Sequence, residues 1–270
     1  MNAFDFSKGW RAAAASLTLA ATAALAPAAA LAEDTLTRIK DAGVLRVGMA
    51  DSIPAQQKNP ITGTWEGFNV DMAQRIAEVL EVELEIVDQT WATLVPGLMQ
   101  AQYDIAMVDM FRTPARAITV DFTDSYMVTG NTWLVADSVT ATDWIALNAP
   151  EYTIANIAGM AAVAQSQRLL PDASHKTIVS DNAVAGQLEV AAGRAHAHLS
   201  DHVQNALFIK ANPDAKVKIL GGDAPIEATG YSWGVKPGDA HFLNFLNTFI
   251  AHGQTTGLIA ERKAHWYGIQ

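Results

Sequence analysis

The sequence predicts an α/β protein built on mainly parallel sheets with helices on both faces. Three observations predict it. Between residues 44 and 108, short apolar runs of strand type alternate with stretches whose apolar residues recur at helical spacing. A second alternation of the same kind begins near Asn131 and runs towards the C-terminus. No repeat or low-complexity linker interrupts the chain after residue 32, which fits two lobes joined through β-strands better than two domains on a tether.

The first residues read as an export signal. Lys8 and Arg11 precede an Ala- and Leu-rich stretch over 12–26, and Ala30, Leu31 and Ala32 have the small-residue form of a cleavage site. Pro27 and the high alanine content argue against a membrane anchor. The mature chain is expected to start at Glu33. Residues 35–41 then form a short helix ended by Gly43, and 44–48 a first strand. Residues 51–63 are polar and turn-rich, with Pro54, Pro60 and Gly63. Over 68–80, Val70, Ala73, Ile76, Ala77 and Leu80 share one helical face. A strand over 82–87, a helix over 91–102 and a buried strand over 105–108 follow. In such sheets ligands bind beyond the carboxyl ends of the strands, so the loops after Gly48 and Val108 should face a site. In the second series, strands are expected at 131–137, 161–165, 176–180, 195–199 and 231–235. Helices are expected at 183–192, 201–211, 240–252 and 255–265.

Composition narrows the class. The chain has no cysteine, which excludes disulfides, thiol nucleophiles and a lipid-modified N-terminal cysteine. Its net charge of −10 gives it no bulk attraction for nucleic acid or an anionic membrane. An exported chain without a lipid anchor or a second apolar span is expected free in the periplasm, as a monomer and without a cofactor.

Six segments carry a family resemblance. They are residues 35–48, 67–73 (Gly-Phe-Asn-Val-Asp-Met-Ala), 91–98, the Thr113-Pro-Ala-Arg116 turn, 121–126 (Asp-Phe-Thr-Asp-Ser-Tyr) and 257–268, which ends in His265-Trp-Tyr-Gly268. Their order resembles that of the polar-amino-acid solute-binding proteins of ABC importers. The resemblance implies a two-lobed Venus-flytrap fold, with 33–130 plus 230–270 as lobe 1 and 131–229 as lobe 2. The chain would cross between lobes near 129–134 and 226–232. It also implies a small zwitterionic ligand, delivered to an inner-membrane ABC permease.

On this resemblance Arg116 grips the ligand carboxylate, since a guanidinium offers two parallel donors to a carboxylate. Asp201, in the segment Gly193-Arg-Ala-His-Ala-His-Leu-Ser-Asp201, pairs with the ligand ammonium. An Asp at a strand-to-helix junction is equally an N-cap, and the two roles can coexist. Asp109 and Phe111 depart from the small residues usual in the family. With Trp91 they would suit a cation stacked on aromatic faces near a carboxylate, a pattern similar to ectoine-binding members. The plain alternative makes Trp91 and Phe111 core residues. Asp51 opens a first loop that lacks the family's stacking aromatic. The second-lobe Gly-Thr-Thr loop is also missing. The segment there reads Val163-Ala-Gln165-Ser166-Gln167, so Ser166 or Gln165 is expected to replace its contacts.

His196 and His198 share a strand face near His202, and a surface strand end is a better reading of them than a metal site. Two other classes stay open. The same fold resembles cyclohexadienyl dehydratases, which need a general acid in the cleft, with Asp51, Asp109 and Asp201 as candidates. A sensor that presents its ligand state to a membrane receptor is the third. The expectation is a non-enzymatic binding protein.

Overall fold

The computed structural model describes residues 34–59, 61–222 and 224–268. The expected export signal lies outside the described residues. Glu33–Gln270 form one compact unit.

The first half alternates as the periodicity requires. Helix α1 (Thr35–Ala42) leads into strand β1 (Val44–Ala50). The polar loop that follows holds a small ribbon, β2 (Gln57–Lys58) against β3 (Trp65–Glu66). Helix α2 (Phe68–Leu80) spans the residues predicted for it and buries Phe68, Met72, Ala73, Ile76, Ala77 and Leu80. Next come β4 (Glu83–Gln89), α3 (Leu94–Met99), β5 (Ile105–Phe111), α4 (Pro114–Ala117) and β6 (Asp121–Phe122). The helix expected over 91–102 is confined to α3.

Strand β7 (Met127–Ala136) opens the second half, followed by a short 3-10 turn at Trp144–Leu147 and β8 (Thr153–Ile157). The strand expected at 161–165 is instead helix α5 (Ala161–Leu169). An Ala-Ala-Val-Ala run fits a buried strand or a helix equally, and only pairing decides. Here β8 takes the sheet position beside β9 (Ser174–Ile178). Then come α6 (Ala185–Ala191), β10 (Ala197–Asp201), α7 (His202–Ala211), β11 (Val217–Leu220) and β12 (Ile226–Val235). Helices α8 (Ala240–Thr255) and α9 (Leu258–Tyr267) close the chain.

The strands form one ten-stranded sheet whose main path runs β4-β1-β5-β12-β7-β10-β8-β9. At one end β1 lies parallel to β4 and β5, and at the other β8 lies parallel to β9 and β10. Between these parallel groups, β12 and β7 run antiparallel to each other and to their outer neighbours. Both are ten residues long and pass from one hydrophobic core into the other. Met127 sits in the first core and Trp133, Leu134 and Val135 in the second, while β12 places Trp233 and Val235 in the first.

Strand β5 shows why its sheet is covered on both faces. Ile105 and Met107 point into the core with Leu45, Phe68 and Trp233. Ala106, Val108 and Met110 point into the opposite layer, with Leu94, Leu98 and Tyr103. A continuous apolar strand of this kind is stable only between two layers. Asp104, just before β5, is fully buried between Arg38 at 2.7 Å and Arg46 at 2.8 Å. No helix among the described residues is long and apolar enough to cross a membrane.

Candidate binding site

The carboxyl ends of β5 and β10, the middle of β12 and the first turn of α5 meet around a cavity. Five predicted residues line it: Trp91, Asp109, Phe111, Arg116 and Asp201.

Arg116 owes its place to the local sequence. The Thr113 hydroxyl caps α4 by accepting the Arg116 N–H at 3.3 Å, and Pro114 occupies the first turn, where no donor is needed. The guanidinium then donates to the Phe111 carbonyl at 3.3 Å and to the Gly159 carbonyl at 2.8 Å. Among the described residues no carboxylate forms an ion pair with it. Burial pulls its pKa down to about 10, still fully charged at neutral pH. A partly buried cation with spare donors and no anionic partner is a binding group for an anion.

Asp201 is the last residue of β10 and the N-cap of α7. Its Oδ1 accepts from the Val203 N–H at 2.8 Å and the Gln204 N–H at 3.3 Å, and its Oδ2 accepts from the Thr129 hydroxyl at 2.9 Å. Burial raises its pKa, and these donors oppose the rise. The helix N-terminus favours its negative charge. Capping and facing the cavity therefore coexist in one side chain.

Asp109 sits deeper. Its Oδ1 accepts from Asn69 at 2.9 Å and from the Tyr126 hydroxyl at 2.6 Å, and its Oδ2 accepts from the Tyr267 hydroxyl at 2.6 Å. Asn69 is held in turn by Gln56 and Trp233. Desolvation outweighs these donors and lifts the Asp109 pKa to about 6, and the Asp201 charge adds to the rise. Phe111 stacks on Tyr231 with ring centroids 4.9 Å apart. Trp91 is nearly buried and donates its indole N–H to the Asp51 carbonyl at 3.1 Å.

Two predicted residues lie elsewhere. Asp51 lines the neighbouring cleft with Lys58, Asp88 and Asp181, and its carboxylate accepts from the Lys58 and Ala183 N–H groups. Its carbonyl nonetheless braces Trp91. Ser166 lies inside α5, fully buried, where it accepts from Asn156 at 2.8 Å and donates to the Val163 carbonyl. The expectation that 163–167 faces the ligand placed the family's Gly-Thr-Thr loop in a segment that lies inside α5. Met160, Ala161 and Ala162 line the cavity instead, at the start of α5. Gly159 makes this possible. It holds φ +84, and a Cβ there would stand 2.2 Å from the Trp91 carbonyl oxygen.

The histidines are not the exposed strand face expected. His198 is buried, bonds the Ala155 carbonyl through Nδ1 and is pushed down to about 4 by burial. His196 accepts the Thr153 N–H. No cluster of metal-ligating residues occurs among the described residues.

The sequence reading missed Asn131, Leu199, Ser200, Gln204 and Tyr231 as lining residues. Ser200 precedes Asp201 on the same strand end and was legible on that ground. Tyr231 was not, because it reaches the site only through the pairing of β12 with β5, Tyr231 opposite Phe111.

The profile of the bacterial extracellular solute-binding proteins, family 3, matches residues 45–269. A cyclohexadienyl dehydratase of Pseudomonas aeruginosa is 25% identical over 257 residues, 92% of each chain. The structure of the ancestral amino acid-binding protein AncCDT-1, a precursor of cyclohexadienyl dehydratase, superposes with a TM-score of 0.77 at 30% identity, over 87% of this chain and 99% of that one. A binding component of an ABC transporter from Wolinella succinogenes, complexed with lysine, gives a TM-score of 0.74 at 29% identity, over 83% and 96%. Both are similar to this chain across nearly their whole length, and the fold is that of the two-lobed periplasmic binding proteins. The chain belongs to the bacterial extracellular solute-binding proteins, family 3.

Proposed function

We propose that this protein captures a small amino acid or amino-acid-like zwitterion in the periplasm and delivers it to an ABC permease. The ligand carboxylate lies on Arg116 and its ammonium on Asp201, with Trp91, Phe111 and Tyr231 forming apolar walls. The observation that carries the reading is Arg116, a cation without an anionic partner among the described residues, set across one cavity from Asp201. Segments 33–130 plus 230–270 and 131–229 act as the two lobes, and β7 and β12 as the hinge. Closure brings Arg116 to Gly159, Asp51 to Ala183 and Ser52 to Gln204, and the permease reads that closed form.

Asp109 and the aromatic walls extend the reading to cyclic or methylated zwitterions of the ectoine type. Thermal unfolding of residues 33–270 against amino acids, ectoines and betaines tests it. A ligand at 100 times its Kd adds about 2.7 kcal/mol to the folded state. That is about 5–10 °C for a chain of this size. A flat response across the panel would reject the reading.

One observation favours a second reading. Asp109 is a buried carboxyl with a pKa near 6 at the cavity, and a relative matched over 92% of the chain is named a dehydratase. A general acid needs such a pKa. Against it, Asn69, Tyr126 and Tyr267 all donate to Asp109, which employs it as an acceptor. Turnover of prephenate or arogenate, abolished in Asp109→Asn, would establish catalysis.

A further inference from the structure

Glu227 is an outlier on β12. It is not glycine, yet it holds φ +51, and the β12–β7 register shifts between Ile226 and Thr229 around it. A non-glycine residue in the left-handed region carries strain and persists where its surroundings fix it. The β12–β7 pairing on either side fixes that backbone, and the Glu227 side chain reaches helix α5. Its Oε2 accepts from Gln165 Nε2 at 3.0 Å and also from the Arg168 guanidinium. Gln165 uses its other end to accept from Asn131 Nδ2 at 2.6 Å, on β7, and Asn131 stands opposite Ile226 in the β7–β12 ladder. One face of α5 is therefore tied to both of the strands that pass between the cores. The first turn of the same helix, Met160 to Ala162, is a wall of the cavity, and Asn131 lines it as well.

We propose that Glu227 is a positioning residue for the binding site. Through Gln165 and Arg168 it holds α5 against β7 and β12, so that the cavity wall is in place before ligand arrives. It does not line that cavity but the adjoining cleft, which shares Phe111, Arg116, Asn131, Met160 and Ala161 with it. A preformed wall costs no ordering on binding, so the tether acts on affinity. Glu227 and Arg168 are both substantially exposed, and an exposed pair contributes little to global stability. The effect should therefore appear in α5 and at the site rather than in the melting temperature. The proposal rests on the binding reading above.

Three variants separate the tether from the strain. Glu227→Ala removes the acceptor and keeps the strained backbone. Glu227→Gln keeps an acceptor oxygen. Glu227→Gly removes the acceptor and suits φ +51. Amide hydrogen exchange of the free protein is the first readout. Peptides covering α5 should exchange about fivefold faster in the Ala and Gly variants and near the wild-type rate in the Gln variant, with α2 unchanged in all three. The second readout is affinity for whichever panel amino acid stabilises the wild type. It should fall about fivefold in the Ala and Gly variants and recover in the Gln variant, although the Gly variant melts higher than the Ala variant. Unchanged exchange in α5 overturns the tether. Faster exchange with unchanged affinity, or affinity that follows melting temperature across the variants, overturns the positioning role. A wild type that binds no amino acid rejects the binding reading and the positioning role with it, while the exchange data still report on the tether.

Discussion

Replacing Asp109 by Asn should make the protein more stable at neutral pH, and by an amount that depends on pH. An ordinary aspartate titrates near 3.8, and burial lifts Asp109 to about 6 in the fold. Between those values the folded state binds more protons than the unfolded chain, so stability falls as pH rises. The shift of about 2 pH units corresponds to about 3 kcal/mol, present in full below pH 4 and lost by pH 7. Asn is close in shape to the protonated acid. Its amide oxygen can accept from Asn69 and Tyr126, and the Tyr267 hydroxyl can turn to accept from its amide nitrogen. The variant and the wild type should then match within about 1 kcal/mol near pH 4 and diverge by about 2–3 kcal/mol by pH 7, with Asn the more stable. Urea unfolding of both proteins at half-unit steps from pH 4 to 7 measures this. Taking the difference cancels the titrating groups that do not interact with Asp109, including His198, whose depressed pKa acts in the opposite sense. Parallel stability curves for the two proteins would refute the claim that Asp109 is a desolvated carboxylate.

Asp104→Ala should cost about 1–3 kcal/mol in denaturant unfolding, because it strips the buried partner from Arg38 and Arg46, themselves about a third exposed, and leaves the Arg46 N–H unpaired. A loss under 1 kcal/mol would place those charges in solvent. Gly159→Ala puts a methyl group against the Trp91 carbonyl at a left-handed φ. It should lower stability by about 1–3 kcal/mol and weaken ligand binding as α5 moves off the cavity. Calorimetry showing wild-type affinity would mean that this close approach is not needed at the site.

Much of the fold was legible because its first half obeys local rules. Helix α2 shows a clean apolar face, and Arg116 sits in a turn that carries its own cap and proline. The apolar run of β5 was visible only to Val108, although the strand continues to Phe111, which pairs with Tyr231 on β12. The second half was harder. Alanine-rich α5 has no periodicity that separates it from a strand, and with the family's Gly-Thr-Thr loop missing no motif marked Met160–Ala162 rather than Ser166 as the residues at the cavity. The chemistry of Asp109 was out of reach for a similar reason. Its donors come from Asn69, Tyr126 and Tyr267, and no local pattern relates those positions to one another.

In the proposed function Arg116 receives the ligand carboxylate. Titration calorimetry of the wild type and Arg116→Ala, each with the panel amino acid that binds and with its α-carboxamide, tests it most directly. Loss of a desolvated charge partner costs about 2–5 kcal/mol. The wild type should therefore bind the carboxamide roughly 30- to 5,000-fold more weakly than the acid. Arg116→Ala should bind the acid more weakly by a similar factor and discriminate little between the two. A variant that still prefers the acid as strongly as the wild type would contradict the account and assign the carboxylate to another group.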